Sequence, residues 1–137
     1  MIRELMHDPL FLAKPSQPAT KEDAHIAKDL VDTITAHSEE CVGMAANMIG
    51  ESKRIICFLS DKGYQVMFNP EIIKQEGAYD TQEGCLSLLG GPRLAKRYKK
   101  IKVEYQTQDG KKRLQTFEGW TAQIIQHEID HCNGILI

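Results

Sequence analysis

No apolar run in this 137-residue chain approaches the roughly 20 residues that a membrane-spanning helix needs. The opening stretch, Met1-Ile2-Arg3-Glu4-Leu5-Met6-His7-Asp8-Pro9, lacks a basic segment followed by an apolar one, so no secretory signal is legible. An excess of either charge sign is also missing. Seventeen Lys and Arg against 19 Asp and Glu leave a net −2, which argues against a protein built to coat nucleic acid or to read DNA. The cysteines (Cys41, Cys57, Cys85, Cys132) lack the density of a secreted disulfide scaffold, and we read them as reduced thiols of a cytoplasmic protein. There is no repeat, linker or low-complexity segment, so residues 1–137 are expected to form a single domain. Its 42% apolar and 26% charged content is ordinary for a soluble fold with a real core.

What is present is a mixture of periods. Residues 1–19, punctuated by Pro9, Pro15 and Pro18, read as irregular. Thr20 with Asp23 resembles a capping box opening a helix, and Ala24, Ala27, Leu30, Val31 and Ile34 recur at helical spacing through about Ser38. Ile55–Leu59 reads as a strand, turning at Asp61-Lys62-Gly63 into a partner at Gln65–Phe68 that Asn69-Pro70 should break. Ile101, Val103 and Tyr105 alternate with Lys100, Lys102 and Glu104, and Asp109-Gly110 predicts a hairpin to a partner around Arg113–Glu118. Trp120 to His131 predicts a second helix, apolar on most sides and therefore buried, with Asn133-Gly134 as its C-cap. The expected fold class is α+β: antiparallel strands packed around this central helix, with the N-terminal helix outside.

The central helix carries His127-Glu128-Ile129-Asp130-His131. Side chains four apart project from one face of a helix, so His127 and His131 can reach one metal ion, with Glu128 beside them to move a proton. Asp130 points away from that face and is expected to hold a ligand or a nearby cation in place. Cys85, in Glu83-Gly84-Cys85-Leu86-Ser87, is a candidate third ligand, with Gly84 allowing close backbone approach. Three protein ligands and one open position characterise a catalytic metal, whereas a structural zinc closes its shell with four. Blander readings stay open at this point. They are satisfied histidines with a surface Glu128, a small buried Cys85 in an ordinary turn, and tight packing at Val42–Gly50. A structural metal domain would need a fourth ligand, for which Cys41 and Cys132 remain candidates.

Together the segments resemble the peptide deformylases. That family carries Gly-x-Gly-φ-Ala-Ala-x-Gln, then Glu-Gly-Cys-Leu-Ser, then a Gln-His-Glu-x-Asp-His helix. Here the second is complete at Glu83–Ser87 and the third at Gln126–His131. Phe68-Asn69-Pro70-Glu71-Ile72 resembles a family strand end, and Arg97 matches a basic position of the pattern. The resemblance spans essentially the whole chain and implies a metal-dependent hydrolase of N-formylmethionyl peptides or nascent chains that releases formate. It implies Cys85, His127 and His131 as ligands of one divalent ion, with water in the fourth position. Fe(II) is the expected native ion, with zinc, nickel or cobalt possible in preparations. Glu128 would be the general base and acid, and the Leu86 backbone N–H an oxyanion donor. Val42 and Gly43 would align the peptide like an added strand, next to Gly84, with Trp120 and Ile124 as the wall for the methionine side chain.

The first segment departs from the pattern twice: Cys41 replaces its first Gly and Met48 its Gln. A thioether cannot donate the hydrogen bond that the Gln amide gives to the developing oxyanion, so a slow enzyme is expected. Asn47, one position away, carries an amide whose direction decides whether it compensates. The alternative is a deformylase-like protein that keeps the metal but acts on another amide, or binds peptides without turnover. A basic group (Arg93, Lys96, Arg97, Lys99, Lys100, Lys102, Lys111, Lys112, Arg113) reads first as a solvated strand face. A weak contact with ribosomal RNA is the sharper reading.

Overall fold

Strands follow one another across a single sheet in chain order. The computed structural model describes residues 1–137, the side chain of Leu89 excepted. The strands are β1 (Gly43–Ala45), β2 (Ile55–Ser60), β3 (Gly63–Cys85), β4 (Leu88–Gln106) and β5 (Lys112–Glu118), each antiparallel to its neighbour in the order β1-β2-β3-β4-β5. The helices are a short α1 (Pro9–Leu12), α2 (Ala24–Ala36) and α3 (Gly119–Cys132). This is the α+β architecture expected.

Period-two alternation in β2 divides the core. Ile55 and Cys57 face a cluster built with Ala27, Leu30 and Ile34 of α2, whereas Ile56 and Phe58 face one built with Ala122, Ile125 and Ile129 of α3. The sheet thus separates the two long helices. Phe58 and Phe117 meet edge to face in the α3 cluster, with ring centroids 6.0 Å apart.

The capping box is present. Thr20 caps a 3-10 turn over Lys21–Asp23, Asp23 accepts from the Thr20 N–H at 2.8 Å, and α2 follows from Ala24. Asp109-Gly110 turns β4 into β5, with Gly110 at φ 86°. Three expectations are corrected. The N-terminal segment is not wholly irregular, because Asp8 accepts a hydrogen bond from Leu10 and Pro9 opens α1. Trp120 is not buried: it lies in the first turn of α3 and is 62% exposed. Nor do Asn69-Pro70 end the strand. Asn69 takes φ 53°, the register shifts between Phe68 and Glu71, and β3 continues to Cys85. The Asn69 amide stabilises this bulge by exchanging hydrogen bonds with Ala19, at 2.7 Å from its N–H and 2.9 Å to its carbonyl. The continuation matters, because it carries Glu83 and Cys85 to α3.

Candidate metal centre

Gln126 fixes α3 against β4. Its amide accepts from the Tyr98 N–H and donates to the Tyr98 carbonyl, both at 2.8 Å. The neighbouring His127 therefore has little freedom to rotate with its helix. Glu83 and Cys85, two apart on β3, project to one side of the strand and meet it. The Cys85 sulfur and ring nitrogens of His127 and His131 all lie within 4.8 Å of one another.

The two Nε2 atoms face each other at 3.1 Å. With both rings neutral and unprotonated on Nε2, their lone pairs would repel. Two nitrogens on one tetrahedral ion, each at about 2.0–2.1 Å, stand roughly 3.3 Å apart. The donor set therefore fits a single cation with little movement.

Behind the centre runs a chain of charges. His127 Nδ1–H donates to Glu83 at 2.8 Å, and the Arg97 guanidinium donates to Glu83 and to Asp130, both at 2.7 Å. Gln123 donates to the second Glu83 oxygen at 2.9 Å. Burial opposes ionisation of Glu83, but the hydrogen bonds from His127, Arg97 and Gln123 win and hold its carboxyl at about 2. Asp130 thus restrains a cation, as its position predicted, and that cation is Arg97. Arg97 is 4% exposed, so it leaves the basic face on which the sequence placed it. Glu83 was legible only as part of a motif. The overlooked signal was its spacing from Cys85, which puts both on one side of a strand.

Burial also lowers His131, to about 3, and the charge of His127 adds to this, so the ring is neutral. For His127 burial acts the same way, yet its contacts with Cys85 and Glu83 and the nearby Glu128 charge carry it up to about 10 in the metal-free protein. A cation bound at Nε2 must displace that proton. Glu128 is buried, and desolvation raises its carboxyl to about 7 despite the nearby His127 and Arg97. Its Oε1 has no hydrogen-bond partner among the described residues. A surface Glu128 is thereby excluded.

These groups open onto a cavity of about 620 Å³. The residues that the resemblance implied for the substrate line it as well: Val42 and Gly43, Gly84 and Leu86, Trp120 and Ile124. His131 lies behind it, fully buried. Gly43 belongs to β1, the edge strand, and a Cβ there would come within 2.8 Å of Glu128 Oε2 and 2.6 Å of Ile124. Met48 lines the cavity, whereas the Asn47 amide turns away and donates to the His131 carbonyl at 2.9 Å. Asn47 does not replace the missing donor. Cys41 donates to the Gly43 carbonyl, and burial pushes its thiol up to about 12.

The profile of the polypeptide deformylase family matches residues 2–137. The peptide deformylase of Clostridium beijerinckii is 50% identical over 137 residues, covering 100% of both chains. That of Thermoanaerobacter pseudethanolicus is 40% identical over 126 residues, 91% of this chain and 79% of its own. Among solved structures, a class I type b peptide deformylase from Acinetobacter baumannii with Met-Ala-Ser bound superposes with a TM-score of 0.88 at 28% identity, covering 99% of this chain and 97% of that one. The Thermotoga maritima peptide deformylase gives 0.87 at 32% identity, covering 99% and 95%. With a family profile matched along almost its whole length and these relatives on both counts, the chain belongs to the polypeptide deformylase family.

Proposed function

We propose that the protein removes the formyl group from N-formylmethionyl peptides, with residues 1–137 acting as one domain and one divalent ion held by Cys85, His127 and His131. The observation that carries this reading is the meeting of three metal-binding donors with an unpartnered, buried Glu128 at one cavity. When bound, the ion supplies Lewis acidity that makes water a nucleophile at neutral pH. Glu128, buried beside the donors with no hydrogen-bond partner on Oε1, would take the proton of the attacking water and return it to the leaving amine. The Leu86 N–H serves the developing oxyanion. Val42 and Gly43 on the edge strand receive the peptide backbone beside Gly84, and Ile124 and Trp120 bound the methionine side chain. The Met-Ala-Ser bound to the Acinetobacter relative supports a peptide in this cavity.

Met48 offers no donor, and Asn47 is engaged elsewhere, so turnover is about a hundred- to a thousandfold below that of an enzyme with the Gln. One thiolate and two imidazoles suit Fe(II), our assignment for the native ion, and also accept zinc, nickel or cobalt. We place the protein in the cytoplasm, where formylated chains are made. Among the described residues, no helix is long and apolar enough to cross a membrane. The basic strand face fits solvation better than ribosome contact, because Lys100 pairs with Glu76 and Glu118, and Lys112 with Glu104. Ribosome binding that weakens steeply with salt would reverse that preference.

Formate release from formyl-Met peptides by anaerobically prepared, iron-loaded protein tests the assignment. Release no greater than that of Glu128→Ala rejects it. Peptide binding without turnover is the second reading, favoured by Met48. A large gain in rate on Met48→Gln would mean that the native site is impaired for this reaction.

A further inference from the structure

Where the family pattern has an amide, this fold places a second sulfur at the centre. Met48 Sδ lies 4.0 Å from Cys85 Sγ. Met48 is 1% exposed and belongs to the 3-10 turn Ala46–Ile49, directly after edge strand β1. The Asn47 amide anchors that turn to α3 through the His131 carbonyl, which sets the direction of the next side chain. Met48 thereby lines the cavity beside Cys85 and His127.

Two sulfurs on one tetrahedral ion, each at about 2.3 Å, stand roughly 3.8 Å apart, and a longer thioether bond widens that slightly. The sulfur pair already has this spacing. The thioether accepts only a long, weak hydrogen bond from the Cys85 thiol, and toward a cation it is a neutral, soft and weak donor.

We propose that Met48 is a fourth, displaceable metal-binding group, making the donor set two imidazoles, a thiolate and a thioether, and that this set tilts the site toward thiophilic cations such as Cu(I) and Cd(II). The inference rests on Cys85, His127 and His131 being the ligands. Soft sulfur donors select such ions, and two histidines with a cysteine and a long methionine bond form a donor set that copper accepts. A weakly held thioether yields to a stronger donor such as a hydroxamate, so it does not close the site as a fourth cysteine would.

X-ray absorption at the cadmium edge, on full-length protein labelled with selenomethionine and loaded with Cd(II), tests this directly, because selenium and sulfur scatter differently. A selenium neighbour at bonding distance, lost in Met48→Leu, is expected. A shell of one sulfur and two nitrogens with no selenium overturns the inference while leaving the three-ligand centre intact. Protein that takes up no ion overturns both. As a second measurement, competition between Cu(I) and Zn(II) should favour copper about tenfold less in Met48→Gln than in the native chain. An unchanged ratio counts against a thioether contact.

Discussion

Glu83 accepts a hydrogen bond from His127 at 2.8 Å while lying only two residues before Cys85 in the chain. One strand thus delivers both a candidate ligand and the carboxylate that orients another. Because Arg97 neutralises Glu83, its buried charge is tolerated without a metal. Removing the charge should loosen the His127 ring and strand part of the Arg97 charge. Glu83→Gln is expected to weaken metal binding roughly 10- to 100-fold, measured by chelator competition. It should lower unfolding stability by on the order of 3 kcal/mol in a denaturant titration.

Acid should act through the same residue. Glu83 is held at about 2, below its ordinary 4.5, so its ionised form stabilises the fold. That contribution is fully present above about pH 4.5 and is lost as the pH falls toward 2. Equilibrium unfolding of the metal-free protein should steepen across this window in the native chain and flatten there in Glu83→Gln.

Glu128 should show the opposite sign. Its carboxyl is raised to about 7, so ionisation favours the unfolded chain, and the cost grows as pH rises from about 4.5 through 7. Metal-free Glu128→Gln should therefore be more stable than the native chain above pH 7, by on the order of 3 kcal/mol. It should match the native chain below about pH 4.5 while losing turnover. Melting curves at pH 4 and pH 8 make the comparison.

Gly43 leaves the room that Glu128 occupies. A Cβ there would overlap Glu128 Oε2 and Ile124, so Gly43→Ala should displace the carboxylate and reduce turnover at least tenfold. The three atoms nearest that Cβ belong to Ile124 and Glu128, not to a metal donor. Metal content after anaerobic loading should therefore remain stoichiometric, and its loss would contradict this account.

Trp120 offers a direct optical report, because the chain has a single tryptophan. It stands 62% exposed on the cavity wall, so a bound peptide should cover the indole and shift its emission to shorter wavelength. Trp120→Ala should raise KM more than it lowers kcat, since Trp120 bounds the cavity and is neither a metal donor nor the proton-transfer group.

Local signals were legible where one interaction dominates. The four-residue spacing of His127 and His131, the Thr20–Asp23 cap and the Asp109-Gly110 turn need only neighbours in the chain. The Asn69-Pro70 stretch misled because a partner 50 residues away, Ala19, stabilises the positive φ that lets the strand go on. Trp120 misled because periodicity records which side a residue takes, but not where the sheet beneath it ends. Asp8-Pro9 held an overlooked helix start, an N-cap followed by proline. Arg97 looked like one more cation in a basic run. Its burial follows from Glu83 and Asp130, which meet only once the sheet and α3 have come together.

The strictly sequential strand order has a kinetic consequence. From β2 to β5 each pairing closes a hairpin with the next segment, so the meander can zip locally as it leaves the ribosome. Helix α3 follows the whole meander in the chain and supplies two of the three candidate ligands. A nascent chain therefore reaches most of its architecture before it can retain an ion, and metallation becomes the closing event of maturation.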